Sequence, residues 1–324
     1  VRELGAAVRQ RGLVFGLSSH TEEYFWFSAN PPLRAPPAPK SGRPPGPQPD
    51  QKFLDWWYGR LVEMVEKYEP QVMWFDWCIE QPAFEPYLRK FAAYYYNRAA
   101  EWKKGVVINY KYEAMPAKSA VLDISSLTSR FAWKPEAAHP RPWQFDSMSN
   151  YEWFWRPDIK LRPVAELVAE LVDVVSKNGN LLLNFTPDPE GAFNAEHARA
   201  LTEIGRWLAT NGEAIYGTRP WKVFGEGPHE GLGSNFKMPR PVFEAADVRF
   251  TAKGDTVFAI PLAWPADRRL AIKALGAGAS AQPGVVKSVA LLGEAGAIAW
   301  KQTAEALEVT LPSHRPTDYA RCYG

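Results

Sequence analysis

Apolar and polar positions in the first two thirds of the chain follow two patterns in turn. Where apolar residues recur every three or four positions they predict amphipathic helices, at residues 53–68, 84–102, 164–175 and 195–210. Short runs rich in apolar residues predict strands, and the wholly apolar residues 72–75 predict a strand that is buried on both faces. These runs are residues 13–17, 72–76, 106–109, 120–124, 143–146 and 180–185. Helices and strands in alternation predict an α/β fold with a parallel sheet and helices outside it.

The pattern changes near residue 221. Short strands separated by Gly, Pro and charged turns are predicted at residues 248–251, 256–260, 288–292 and 307–311. Strands of this length and spacing are typical of a small antiparallel β-sandwich. We therefore predict two domains, an α/β domain over residues 1–220 and a β-sandwich domain over residues 221–324.

The chain opens inside the alternation of helices and strands. Residues 2–11 have an amphipathic helical pattern that Gly12 is well placed to end, and a strand follows at once. We therefore expect that upstream sequence is missing and that the α/β domain is truncated at its N-terminal side.

The most informative stretch is residues 71–77, QVMWFDW, in which an apolar run ends abruptly in Asp76. Parallel α/β sheets present their chemistry at the carboxyl ends of their strands, and aromatic faces pack on the apolar face of a pyranose. A carboxylate at such an end, flanked by Trp74 and Trp77, therefore suits a site that cleaves sugars. The alternative is that Asp76 caps the following helix.

Composition narrows the classes of function. The 38 basic and 36 acidic residues nearly balance, which argues against a surface for nucleic acid or anionic membranes. The 14 Trp residues fit either a well-filled core or a cleft that faces carbohydrate. The two Cys residues lack metal-ligand spacing. No apolar run is long enough to span a bilayer and no signal-peptide pattern is present, so the compartment stays open.

Several motifs in order resemble glycoside hydrolase family 29, the α-L-fucosidases. They are residues 74–77 (WFDW), 91–97 (FAAYYYN), 106–111 (VVINYK), 171–185 (LVDVVSKNGNLLLNF) and 211–221 (NGEAIYGTRPW). The resemblance implies a (β/α)8-like, TIM-type barrel followed by a C-terminal antiparallel β-sandwich. It also implies hydrolysis of terminal α-L-fucose with retention of configuration, without a metal or an organic cofactor.

Retaining hydrolysis needs a nucleophile and an acid/base, two carboxyl groups about 5–5.5 Å apart. The resemblance puts the nucleophile at Asp76. Where close relatives carry the acid/base glutamate this chain has Ser125, whose hydroxyl is too weak an acid to replace it. Nearby carboxyl groups that could replace it are Glu136, Asp123, Asp146 and Glu152. We choose Glu136 as the acid/base, since this residue shifts position across the family. Asp123 is expected to make a structural hydrogen bond in its strand.

Four residues are predicted to bind the sugar. Trp74 is expected to shape the wall beside Asp76. The family's tyrosine falls at Ser18, and His20 is the candidate to replace its hydrogen bond unless it is a solvent-facing loop residue. Lys111 lies where the family often has a sugar-contacting arginine, the alternative being a surface lysine. Trp153 matches an aromatic that packs on fucose, with core packing as its rival.

The family's barrel normally begins with two more strands, which this chain lacks. The resulting six-stranded, incomplete barrel leaves open sheet edges, which are costly in water. We therefore expect a homo-oligomer that compensates for the missing strands. The predicted function is a retaining α-L-fucosidase, active or weakened, acting on fucosylated glycans or small fucosides. The alternative is a lectin-like relative that binds fucose but lacks the acid/base.

Overall fold

The computed structural model describes residues 1–22, 49–76, 79–111, 114–116, 118–123, 138–229, 231, 241–281 and 284–313. The chain divides into two compact units, Val1–Ile124 and Ser125–Gly324. The predicted domain boundary at residue 220 stays a prediction. None of the described helices is long and apolar enough to cross a membrane.

The first unit is a parallel sheet with helices between its strands. Its four described strands are all parallel and are neighbours in chain order, β1-β2-β3-β4. A short 3₁₀ turn, Pro82–Phe84, precedes the third helix. In order, the elements are α1 (Arg2–Gln10), β1 (Gly16–Ser19), α2 (Gln51–Tyr68), β2 (Val72–Phe75), α3 (Glu85–Trp102), β3 (Val107–Lys111) and β4 (Val121–Asp123).

Helix α2 shows how local sequence sets these elements. The Asp50 carboxylate accepts a hydrogen bond from the Phe53 backbone N–H at 2.8 Å and so caps the first turn. The helix ends at Glu69, which takes a left-handed conformation with φ of 44° before Pro70. Its buried face, spaced by three or four residues, packs on strand β2 and helix α3. That face consists of Leu54, Trp57, Leu61 and Val65.

The second unit begins with a further helix–strand region. Strands β5 (Trp143–Met148) and β6 (Gly179–Asn184) are parallel, and helix α4 (Val164–Ser176) connects them. Asn178 takes a positive φ of 71° at the turn into β6. Helix α5 (Ala195–Asn211) follows, and the Asn194 side chain caps its first turn.

Two antiparallel sheets end the described chain. The first pairs β7 (Arg219–Glu226), β8 (Val248–Lys253) and β9 (Thr256–Pro261) in that order. The second has the order β10-β12-β11, from Arg269–Ile272, Leu307–Thr310 and Ala299–Gln302. Apolar side chains of both sheets form one core, in which Phe250 and Ile272 are fully buried. The predicted antiparallel sandwich is therefore confirmed.

The first strand was predicted at residues 13–17, but β1 begins three residues later, at Gly16. Leu13 and Val14 are more than half exposed, and pairing begins with Gly16 opposite Val72. A Cβ on Gly16 would lie 2.9 Å from the Val72 Cβ, so the glycine permits this close approach. The apolar run predicted a strand because burial was assumed for residues that the sheet leaves outside.

The C-terminal strand predictions are wrong in two respects. Residues 288–292 form no strand, although Leu291 is buried in the sandwich core. Three strands were missed, β7, β10 and β11. Strand β7 contains Pro220 and Gly225, and its pairing with β8 shifts register between them. Because Pro and Gly weaken a strand pattern, the sequence did not indicate this one.

Candidate active site

Asp76 lies directly after the last residue of β2, and its side chain keeps 14% of its surface exposed. The capping alternative for this residue is wrong. The N-cap of the 3₁₀ turn at Pro82 is Gln81 and that of α3 is Phe84, so Asp76 caps neither element. The carboxylate is therefore presented at the carboxyl edge of the parallel sheet, as a residue that meets a ligand would be.

Strand register brings the candidate residues into one row. Ser18, Trp74, Asn109 and Val121 are aligned across β1 to β4. Side chains two residues further along a strand point to the same face. The next positions of this row are His20, Asp76, Lys111 and Asp123, so four separate segments deliver ionisable side chains to one edge.

Lys111 contacts Asp76, the predicted nucleophile. Its Nζ lies 2.9 Å from the Asp76 Oδ1, and its side chain is 7% exposed. The same ammonium lies 4.7 Å from the Trp74 ring centroid, in a cation–π arrangement. The surface-lysine alternative is therefore wrong. The Lys111 ammonium and the Asp76 carboxylate therefore form an ion pair at the ends of their strands.

Trp74 is fixed by a strand residue on the far side. Its indole Nε1 donates a hydrogen bond to the Asp123 Oδ2 at 2.7 Å. Asp123 is buried at the end of β4, which confirms the predicted structural hydrogen bond of this residue. Asp123 thus orients the ring on which the Lys111 ammonium rests.

His20 follows β1 and faces Asp76 from the opposite side. Its Nδ1 lies 3.6 Å from the Asp76 Oδ2, which is longer than a hydrogen bond. The His20 ring lies 5.5 Å from the Trp74 ring, and half of the His20 side chain is exposed. The residue is therefore both solvent-facing and next to the carboxylate, an arrangement open to a ligand.

Sequence reasoning missed Glu22, two residues beyond His20. Its Oε2 accepts hydrogen bonds from Ser19 Oγ at 2.8 Å and from Trp57 Nε1 at 3.2 Å, and the residue is buried. Burial raises the pKa of Glu22 to about 8, although these hydrogen bonds lower it in part. The Ser-x-x-Glu spacing of residues 19–22 was a signal for a structured turn.

Two other predicted site residues, Trp153 and Glu136, belong to later parts of the chain. Trp153 belongs to the second unit, in the segment between β5 and α4, where it is half-buried and its carbonyl accepts a bond from Asn184 Nδ2. Glu136 and Ser125 lie outside the described residues. Among the described residues, no group of three or more His, Cys, Asp or Glu side chains is arranged to hold a metal ion.

The Lys111 contact yields a prediction. Lys111→Met removes the cation 2.9 Å from Asp76, and we expect kcat/KM for an aryl α-L-fucoside to fall by about 10²-fold or more. Lys111→Arg retains the charge and should lose less. The exposed Lys118, changed to Met, is the matched control. Equal kcat/KM for the Lys111→Met and Lys118→Met variants would exclude an electrostatic role for Lys111.

Helices and parallel strands, a carboxylate at a strand tip and following antiparallel sheets place the chain among barrel-type α/β enzymes. Residues 1–213 match the family model described as alpha-L-fucosidase, and residues 243–323 match the alpha-L-fucosidase C-terminal domain. The first match covers more than half of the chain. The chain therefore belongs to the α-L-fucosidase family, glycoside hydrolase family 29, whose members are retaining enzymes.

Curated relatives and solved structures agree with this family. The tissue alpha-L-fucosidase of Mus musculus is 27% identical over 332 residues, which cover 98% of this chain and 63% of the mouse protein. The human enzyme is 29% identical over 269 residues, 82% of this chain and 51% of its own length. The chain thus spans less than two thirds of the length of these relatives.

Two solved structures cover the whole chain. The Thermotoga maritima alpha-fucosidase in complex with a mechanism-based inhibitor superposes with a TM-score of 0.75 at 25% identity. Its complex with fucose gives a TM-score of 0.73 at the same identity. In both, the match spans 67% of the Thermotoga chain. The predicted fold class is therefore confirmed, an incomplete (β/α)8-type barrel with six parallel strands among the described residues, followed by antiparallel sheets.

Proposed function

We propose that this chain carries the nucleophile of a retaining α-L-fucosidase that releases terminal α-L-fucose from glycans or small fucosides. The single observation that carries the proposal is Asp76, which lies partly accessible at a strand tip and is paired with the buried Lys111 at 2.9 Å. Family membership supports it, as does the likeness to an α-fucosidase in complex with fucose.

We propose the following roles in the first step of the reaction. The Asp76 carboxylate attacks the anomeric carbon, and the glycosidic C–O bond breaks. The electron pair of that bond stays on the departing oxygen, which takes a proton from a general acid. Lys111 pairs its ammonium group with this carboxylate. His20 is placed to hydrogen-bond a sugar hydroxyl, and Trp74 limits where the ring can lie.

In the second step water attacks the same carbon and displaces the Asp76 carboxylate, which restores the enzyme. The acid that protonated the leaving group then removes a proton from this water. We propose Glu136 for both tasks and Trp153 as the aromatic that packs on fucose. No metal ion or organic cofactor enters these steps.

A homo-oligomer remains our expectation, since β1 lies at the edge of the described sheet.

Leaving-group chemistry tests the function. The leaving group of 4-nitrophenyl α-L-fucoside is a stabilised anion that needs little protonation. Nucleophilic attack by Asp76 alone should therefore release it. If Glu136 is the acid, Glu136→Gln should slow cleavage of a fucosylated oligosaccharide by about 10²-fold or more and that of the aryl fucoside far less. The exposed Glu190, changed to Gln, is the control.

Three outcomes are distinguishable in this assay. If the unmodified chain cleaves the aryl fucoside but not the oligosaccharide, and azide accelerates release, the nucleophile works without an acid. If fucose binds and neither substrate turns over, the lectin-like alternative replaces this proposal. If both substrates turn over and Glu136→Gln changes neither rate, another carboxyl group is the acid.

A further inference from the structure

Glu22 is a buried carboxyl group that the proposed reaction does not use. Glu22 exposes 1% of its surface, although it lies two positions after the half-exposed His20. Two side-chain donors, the Ser19 hydroxyl and the Trp57 indole, reach the same oxygen, Oε2. The other oxygen, Oε1, is buried without a hydrogen-bond partner among the described residues.

This arrangement suits an acid and not a carboxylate. An ionised carboxylate in a dry site is costly unless both oxygens accept hydrogen bonds. A neutral acid carries its proton on one oxygen and accepts hydrogen bonds on the other. Here Oε2 is the acceptor, and a proton on Oε1 removes the charge.

The contacts of Glu22 join the turn after β1 to the core of the first unit. Ser19 is the last residue of β1, and Trp57 is a fully buried residue of α2 that packs on Phe75 and Phe84. In the chain, His20 lies between Ser19 and Glu22, the two residues that this hydrogen bond joins. Its ring position opposite Asp76 therefore depends on that contact.

We propose that Glu22 is a positioning residue whose uncharged carboxyl group fixes the turn after β1 and so holds His20 opposite Asp76. The inference rests on the proposed function in so far as His20 serves the sugar site. Ionisation of Glu22 leaves a charge with one bare oxygen in the core, and the turn must then open to let water reach it.

The neighbouring charges make the direction of the pH effect clear. In the described part of the chain, His20 is the titratable group that acts on Glu22 electrostatically, and Asp76 and Lys111 lie beyond it. Burial raises the pKa of Glu22 to about 8, above its unfolded value. The stabilisation by the protonated form is therefore complete below about pH 4.5 and is lost as the pH rises through about 8.

Two substitutions separate positioning from simple packing. Glu22→Gln keeps a neutral acceptor for Ser19 and Trp57, so kcat/KM for 4-nitrophenyl α-L-fucoside at pH 7 should stay within about 3-fold of wild type. We expect kcat/KM of the wild type to decline near pH 8, and this decline should be absent in Glu22→Gln. Glu22→Ala removes the contact, and a misplaced His20 should lower kcat/KM by about 10-fold to 100-fold. Glu3→Gln, at an exposed residue of α1, is the control and should leave the pH profile unchanged.

A second measurement is independent of turnover. The indole N–H resonance of Trp57 and the ring resonances of His20 should titrate near pH 8 in wild type and not in Glu22→Gln. If the Trp57 resonance is constant from pH 6 to 9 in wild type, or Glu22→Gln keeps the wild-type decline, the proposal is overturned. If no variant cleaves the fucoside but both resonances titrate as expected, the positioning role stands and the fucosidase assignment fails.

Discussion

The Asp76→Asn variant is expected to lose turnover of aryl α-L-fucosides by a factor of about 10⁴ or more, the scale on which hydrolases lose rate when a reacting residue is removed. The carboxamide has nearly the shape of the carboxylate but is not a nucleophile, so no glycosyl-enzyme forms. Its oxygen can still accept a hydrogen bond from Lys111, and the fold should therefore be retained.

The comparison needs a fold control and a matched substitution. Asp255→Asn, at an exposed residue between β8 and β9, should leave the turnover rate and the melting temperature unchanged. Circular dichroism should show the same spectrum for both variants and wild type. An Asp76→Asn protein that cleaves 4-nitrophenyl α-L-fucoside at nearly the wild-type rate would end the assignment of the nucleophile.

The Arg249→Met variant should lose about 3–5 kcal/mol of unfolding free energy, because it leaves a buried carboxylate short of a partner. Arg249 Nε lies 2.7 Å from the Asp173 Oδ1, and Lys177 Nζ lies 2.9 Å from Oδ2. All three side chains are at most 10% exposed. The ion pair of Arg249 with Asp173 joins strand β8 to helix α4, and its two residues are 76 positions apart in sequence.

The pH dependence of stability provides an internal check. Burial raises the pKa of Asp173, but the ion pairs with Lys177 and Arg249 outweigh it and hold the pKa below its usual value. The stabilisation is therefore present above the unfolded pKa of about 4 and is lost as the pH falls through the folded value. Urea unfolding of wild type should weaken below about pH 4, and the Arg249→Met variant should show less of this loss.

The exposed Arg269 of β10, changed to Met, serves as the control for Arg249. A surface substitution of this kind should shift the unfolding free energy by less than about 0.5 kcal/mol. Should the two variants have equal urea midpoints, the buried ion pair would have no net stabilising value in this protein.

Much of the fold was predictable because it depends on local periodicity. The apolar spacing in α2 and α4 and the uniformly apolar core of β2 indicated which residues are buried. Failures occurred where burial depends on distant contacts. Leu13 and Val14 have the composition of a strand, yet pairing begins beyond them, and β7 was hidden by its Pro and Gly residues.

The candidate site was predictable in part for the same reason. Asp76 was visible because an apolar run that ends in an acid is a local pattern. Its pairing with Lys111 was not visible, since residues 35 positions apart meet only when β2 and β3 adopt one register. Glu22 gave no sign of its burial, because Trp57, which covers it, belongs to another element.

The sequence by itself determined the alternation of helices and strands, the change to antiparallel sheets, and the acid at the tip of β2. Periodicity and composition suffice for these features because each residue's burial follows from its near neighbours. Tertiary structure alone decided that His20, Asp76, Lys111 and Asp123 share one row, and that Asp173 meets Arg249. Those contacts depend on strand register and on packing between distant segments, where the gain from each contact must exceed the entropy of closing the intervening chain.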